Sequence, residues 1–117
     1  MSDLRLVIFD VDGTLVDSQD LIVKAMAYAY DQIGVQVPPR DQVLGFVGMS
    51  LDLIFPGLSP ELAADQHTAL AQGYRDGYFH MRQTQGSSLT SPFFAGMREI
   101  LDTLRVQDWT VLAVATG

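Results

Sequence analysis

Cysteine is absent from this chain, which excludes disulfides, thiolate metal sites and a cysteine nucleophile. Any metal must be held by oxygen or by the two histidines, His67 and His80. Basic residues are scarce as well: 7 Lys+Arg stand against 14 Asp+Glu, a formal net charge of −7. Affinity for polyanions is largely a Lys/Arg effect, so no nucleic-acid partner is expected. A small anionic substrate remains compatible with that balance, because a bound divalent cation and backbone N–H groups can reverse the local sign. No apolar run approaches the roughly 20 residues needed to span a bilayer, and Met1-Ser2-Asp3-Leu4-Arg5 lacks the basic region and cleavage site of a signal peptide. A soluble, cytoplasmic protein with no membrane partner is expected.

Apolar residues are plentiful. Hydrophobic side chains make up 48% of the 117 residues and charged ones 18%, too apolar a balance for disorder. On folding, a chain of this length buries about 65% of its unfolded surface, enough for one sizeable core but not for two independent ones.

Leu4 to Phe9 is a nearly unbroken apolar run stopped by Asp10, and Thr110 to Ala115 repeats the pattern before Thr116-Gly117. Runs without alternation suit strands buried on both faces, the usual state in a parallel sheet. Everything between reads as helix. Asp17 or Ser18 caps a segment with apolar Leu21, Ala25, Ala29 and Ile33, ended by Gly34 and Pro38-Pro39. Shorter helices are expected over Arg40 to Phe46 and from Ser50 to Phe55, with Pro56-Gly57 as a break. Ser59-Pro60-Glu61 reads as a helix start leading to about Arg82, and Gln83 to Ser91 as a loop. Met97, Ile100, Leu101 and Leu104 have the spacing of an amphipathic crossover helix between two parallel strands. The expected organisation is a first strand and catalytic loop over 1–15, a helical subdomain over 16–91, and a crossover helix and second strand over 92–117.

Chemistry concentrates at the end of the first strand, where open parallel sheets place their ligands. Asp10 and Asp12 are two residues apart, and alternation along an extended backbone would send both the same way. Two carboxylates aimed at one point repel, so one must hold a proton or both must share a cation. Phosphoryl transfer through a carboxylate needs such a pair, one to attack phosphorus and one to protonate the leaving oxygen. Mg²⁺ would offset the repulsion between carboxylate and phosphate. Thr116, with its hydroxyl, and Gly117, with its unhindered N–H, supply donors for a phosphoryl oxygen at the second strand's end.

Asp10-Val11-Asp12-Gly13-Thr14-Leu15-Val16-Asp17-Ser18 resembles the first motif of the haloacid dehalogenase superfamily in its form DxDGTLxDS, and Val111 to Gly117 resembles the second. A helical insertion directly after the first motif is similar to the cap of the phosphoglycolate-phosphatase-like branch. The segment Pro92 to Met97 resembles the return into the core. The resemblance implies an α/β fold: a Rossmann-like parallel-sheet core, incomplete here, with an inserted α-helical cap. It implies Asp10 as nucleophile, Asp12 as general acid/base and backbone-carbonyl metal ligand, Thr116 and Gly117 as phosphate-binding groups, and Mg²⁺ held at Asp10 and Asp12. A Mg²⁺-dependent phosphatase of a small phosphorylated metabolite, working through an aspartyl-phosphate, is the activity it implies. A phosphomutase of the same branch and a non-catalytic truncated fragment are the alternatives.

The family's third motif is a lysine and its fourth an acidic pair, both downstream of the second strand. Lys24, in the first helix of the insertion, is the only lysine here. The resemblance therefore implies the N-terminal half of such an enzyme, inactive alone and prone to self-association through uncovered sheet edges. Elsewhere the bland readings prevail. Asp17 and Ser18 read as helix caps, Tyr74, Tyr78 and Met81 as core packing, His67 and His80 as ordinary histidines, and Trp109 as a helix-to-strand corner. Gly45 to Gly48 reads as a turn facing the site.

Overall fold

β-Branched and aromatic residues dominate both apolar runs, and in the computed structural model each forms a strand: β1 over Arg5–Asp10 and β2 over Thr110–Ala115. The structure describes residues 3–86 and 91–115. The two strands pair in parallel, with Arg5 opposite Thr110 and Asp10 opposite Ala115. Between them lie α1 (Gln19–Gln32), α2 (Arg40–Leu44), α3 (Leu51–Leu58), α4 (Ala64–Gln85) and α5 (Met97–Arg105). Helix α5 is the crossover and packs back on β2. The resulting α/β architecture has the expected parallel pair and helical insertion.

The core sits in the insertion. Met26, Tyr30, Val43, Phe55 and Leu70 from α1 to α4 are nearly or wholly inaccessible to solvent. Small residues let α1 and α4 approach closely: a Cβ on Gly73 would stand 3.2 Å from the Ala29 Cα, and one on Gly77 would stand 2.7 Å from the Tyr28 ring. Tyr30 and Ser59 close the far end with a buried hydroxyl–hydroxyl hydrogen bond.

The strands differ from the sequence expectation of burial on both faces. Leu6 and Ile8 of β1 are 61% and 59% exposed, and Val111 and Val114 of β2 are 49% and 62% exposed. Two strands and one helix cannot cover both faces of a sheet, and α5 has no buried residue. The molecule is accordingly elongated, with a radius of gyration of 17.6 Å against about 13 Å for a compact domain of this length.

Three helix boundaries also depart from expectation. Pro56 and Gly57 lie inside α3 rather than ending it, and Phe46 packs against Gly57 so closely that a Cβ there would stand 2.6 Å from its ring. Ser59 caps no helix by its side chain, since its hydroxyl is taken by Tyr30; α4 starts at Ala64, where Gln66 Oε1 accepts the Ala63 N–H. At its other end α4 runs to Gln85 and stops at Gly86, whose φ of 79° suits glycine.

The two connections between sheet and insertion run side by side. Val16 and Phe93 form an antiparallel bridge, the Asp17 N–H donates to the Pro92 carbonyl at 2.7 Å, and the Phe94 N–H donates to the Leu15 carbonyl at 3.1 Å.

Candidate active site

At Asp10 the strand gives way to a tight loop. The Val11 carbonyl accepts the N–H groups of Thr14, Leu15 and Val16 at 3.2, 2.9 and 3.2 Å, and Gly13 at φ 80° makes the reversal. Alternation therefore stops before Asp12, so the sequence argument for a shared direction does not describe the backbone. The loop nevertheless brings Asp10 and Asp12 to the wall of one cavity of about 440 Å³.

Each carboxylate is held. Asp10 accepts the Val11 N–H at 2.9 Å and the Thr14 hydroxyl at 3.4 Å. Asp12 accepts the Ser18 hydroxyl at 2.6 Å. Ser18 is buried at the start of α1, and its side chain caps no N–H there. The neighbouring Asp17 carboxylate takes the Gln19 N–H at 3.3 Å instead. Of the two residues read as caps, only Asp17 behaves as one; Ser18 orients Asp12. Its place in the DxDGTLxDS pattern was the available signal.

The rest of the cavity comes from the insertion. Phe46, Val47 and Gly48 of the turn read over Gly45 to Gly48, and Met49 after it, line the cavity together with apolar side chains of α1, α2 and α3 and with Tyr74 of α4. Tyr74 also borders a second cavity of about 430 Å³, shared with Asp12, Arg75, Tyr78 and Arg82. Burial pushes the Tyr74 hydroxyl up to about 12, and the neighbouring Tyr78 and Asp12 act in the same direction. It is a protonated donor at neutral pH. Tyr74 packs against the core, as its spacing suggests, and also stands beside the carboxylates; periodicity marks a buried stripe but cannot show what else the stripe faces.

Thr116 and Gly117 lie outside the described residues. Among the described residues, no group of three or more His, Asp and Glu side chains could hold a metal ion. The Asp10 carboxylate and the Asp12 backbone carbonyl suit Mg²⁺ in kind, as hard oxygen donors, and cover part of the roughly six positions that it fills. No described helix is long and apolar enough to cross a membrane.

A carboxylate pair at a strand end, a helical insertion and a crossover helix between parallel strands fit the class, and the family model for haloacid dehalogenase-like hydrolases matches residues 7–117. The chain belongs to that family. Pyrophosphatase PpaX of Bacillus pumilus is 30% identical over 105 residues, covering 90% of this chain and 43% of the relative. Phosphoglycolate phosphatase of Aliivibrio fischeri is 26% identical over 123 residues, covering 96% and 50%. Tyrosine-protein kinase PtkA of Mycobacterium tuberculosis is 33% identical over 113 residues, covering 97% and 36%. Among solved structures, a haloacid dehalogenase-like family hydrolase from Streptococcus pneumoniae superposes with a TM-score of 0.79 at 29% identity, over 99% of this chain and 50% of its own. The chain thus spans about half, or less, of the length of the relatives it matches, and the expected branch and fold class, an incomplete Rossmann-like α/β core, stand.

Proposed function

We propose that the protein carrying this chain is a Mg²⁺-dependent phosphatase of small phosphorylated metabolites, with Asp10 as nucleophile and Asp12 as general acid and base. The observation that carries this reading is the pair of separately held carboxylates on one cavity wall. An Asp10 oxygen attacks phosphorus, and the bond from phosphorus to the leaving oxygen breaks with its electron pair moving to that oxygen. Asp12 gives the leaving oxygen its proton. Water then attacks the aspartyl-phosphate, Asp12 takes the water's proton, and the acyl-phosphate bond breaks to free phosphate and the Asp10 carboxylate. Ser18, donating to Asp12 Oδ1, keeps that carboxyl aimed through both steps. Asp10 and the Asp12 carbonyl would hold Mg²⁺, which supplies charge neutralisation between carboxylate and phosphate. Thr116 and Gly117 are assigned to the phosphoryl oxygens.

The segment 16–91 serves in this reading as a cap that excludes water while the aspartyl-phosphate forms. The paired connections at Val16 and Phe93 support a hinge there. A cytoplasmic setting belongs to the same proposal.

Phosphate release by the whole protein tests the reading. Asp10→Asn is expected to abolish turnover with the fold intact, and residual activity within about tenfold of wild type would contradict the assignment. Asp12→Asn is expected to fail most on alkyl phosphates, whose leaving groups need a proton more than p-nitrophenol does. The likeness to a tyrosine-protein kinase favours a second reading, transfer to a protein hydroxyl; the fate of the phosphoryl group, water or tyrosine, separates the two.

A further inference from the structure

Seven cationic side chains serve the whole chain, and five lie away from the carboxylates. Arg40 and Arg105 pair with Asp20 and Asp102, Arg5 lies over the Trp109 ring, and Lys24 and Arg98 border neither cavity that reaches Asp12. The remaining two, Arg75 and Arg82, line the second cavity with Asp12, Tyr74, Tyr78 and Phe79. Seven residues apart on α4, they lie two turns from each other on one face. Arg75 has no acidic partner among the described residues. Arg82 donates from Nη1 to the Tyr78 hydroxyl at 3.4 Å, with its guanidinium 5.8 Å from that ring's centre. Because the Tyr78 oxygen accepts in that contact, its own proton is left to donate.

We propose that this second cavity is the subsite for a second anionic group, a carboxylate or a phosphate, on the leaving-group side of the substrate, held by Arg75 and Arg82. The proposal rests on the phosphatase reading and deepens it by naming the substrate class: phosphate esters or anhydrides whose leaving group is itself an anion. Asp12 stands on the wall common to both cavities. A leaving group that takes its proton from Asp12 and extends toward α4 meets the arginines. Charge-assisted hydrogen bonds from guanidinium groups are the strong ones, and the fork geometry matches carboxylate and phosphate alike. The first cavity offers no such partner, since none of its lining side chains is cationic.

Selectivity of the whole protein is the test: kcat/KM for 2-phosphoglycolate and for pyrophosphate, each divided by that for ethyl phosphate. At least one ratio is expected to be well above one in the wild type. The Arg75→Gln/Arg82→Gln variant should lower it roughly tenfold or more, mainly through KM, while Arg75→Lys alone keeps most of it. Which probe responds distinguishes a carboxylate from a phosphate. Wild-type ratios near one for both probes, or ratios unchanged in the double variant, overturn the proposal. Should the wild type hydrolyse none of the three, the phosphatase reading fails, and calorimetry then decides the subsite by itself. Binding of 2-phosphoglycolate or of pyrophosphate roughly tenfold tighter than ethyl phosphate, with the preference lost in the double variant, upholds it. Equal affinities overturn it.

Discussion

The β1–β2 pair is more apolar in sequence than helices α1 to α4, yet it is the helices that bury their side chains. The helices interlock around Tyr30 and Phe55, both fully buried, whereas the strands leave Leu6, Ile8 and Val114 more than half exposed. Apolar content therefore says little about where a core forms; the number of elements available to cover each face decides it. Four helices can enclose one another. Two strands need layers on both sides, and α5 supplies only part of one. The carboxylate pair stands at the junction, with Asp10 on the open sheet and the other walls of its cavity on the closed bundle.

The contrast predicts where the 117-residue chain is fragile. Phe55→Ala is expected to destabilise it most, by about 3–5 kcal/mol, because the side chain is wholly buried and tilted against Tyr30. Chemical denaturation followed by circular dichroism reads the loss, and a change under about 1 kcal/mol would break the claim of a tight helical core. Gly73→Val should cost about 1–3 kcal/mol in the same assay, since the new Cβ meets the Ala29 backbone. Ser18→Ala should cost only about 1 kcal/mol, for one lost hydrogen bond. In the whole protein it should lower turnover far more than it lowers stability, because Asp12 loses its orienting donor. Turnover reduced no more than folding would reduce Ser18 to a structural residue. Smallest of all, Ile8→Ala and Val114→Ala should each stay below about 1 kcal/mol in the isolated chain, given their exposure.

Alkaline titration sharpens the same comparison at the junction. The Tyr74 hydroxyl titrates at about 12 in the folded chain, above its ordinary value of 10.0. Between those values the unfolded state has lost the proton that the folded state still holds, so stability falls as pH rises from about 10 to about 12. Below that window the contribution is complete. Tyr74→Phe should flatten the slope, leaving the part due to Tyr30, which burial also raises. An unchanged slope would place Tyr74 in water rather than between the cavities.

How much of this was legible in the sequence follows from the range of each signal. Strand and helix identities were readable because apolar period is local, and Asp10 and Asp12 because the motif is contiguous. Ser59 misled because a capping hydroxyl and a buried partner for Tyr30 look alike until Tyr30, 29 residues away, is in place. Pro56 misled because a breaker read locally does not register the packing of α3, where Phe46 lies against Gly57 and Ile54 and Phe55 are buried. Tyr74, Arg75 and Arg82 carried no local mark of function, since only the packing of α4 against α1 brings their stripe to Asp12.

The central claim is that Asp10 attacks phosphorus. Its most direct measurement is acid-quenched mass spectrometry of the whole protein bearing Asp12→Asn, incubated with p-nitrophenyl phosphate and Mg²⁺. On the proposed roles, that variant keeps the nucleophile and slows hydrolysis of the intermediate, and p-nitrophenol is a leaving group that needs little help. A phosphoryl group is expected on the peptide containing Asp10, absent when Asp10→Asn is added. Release of p-nitrophenol with no phosphorylated Asp10, or with the label on another residue, would contradict it.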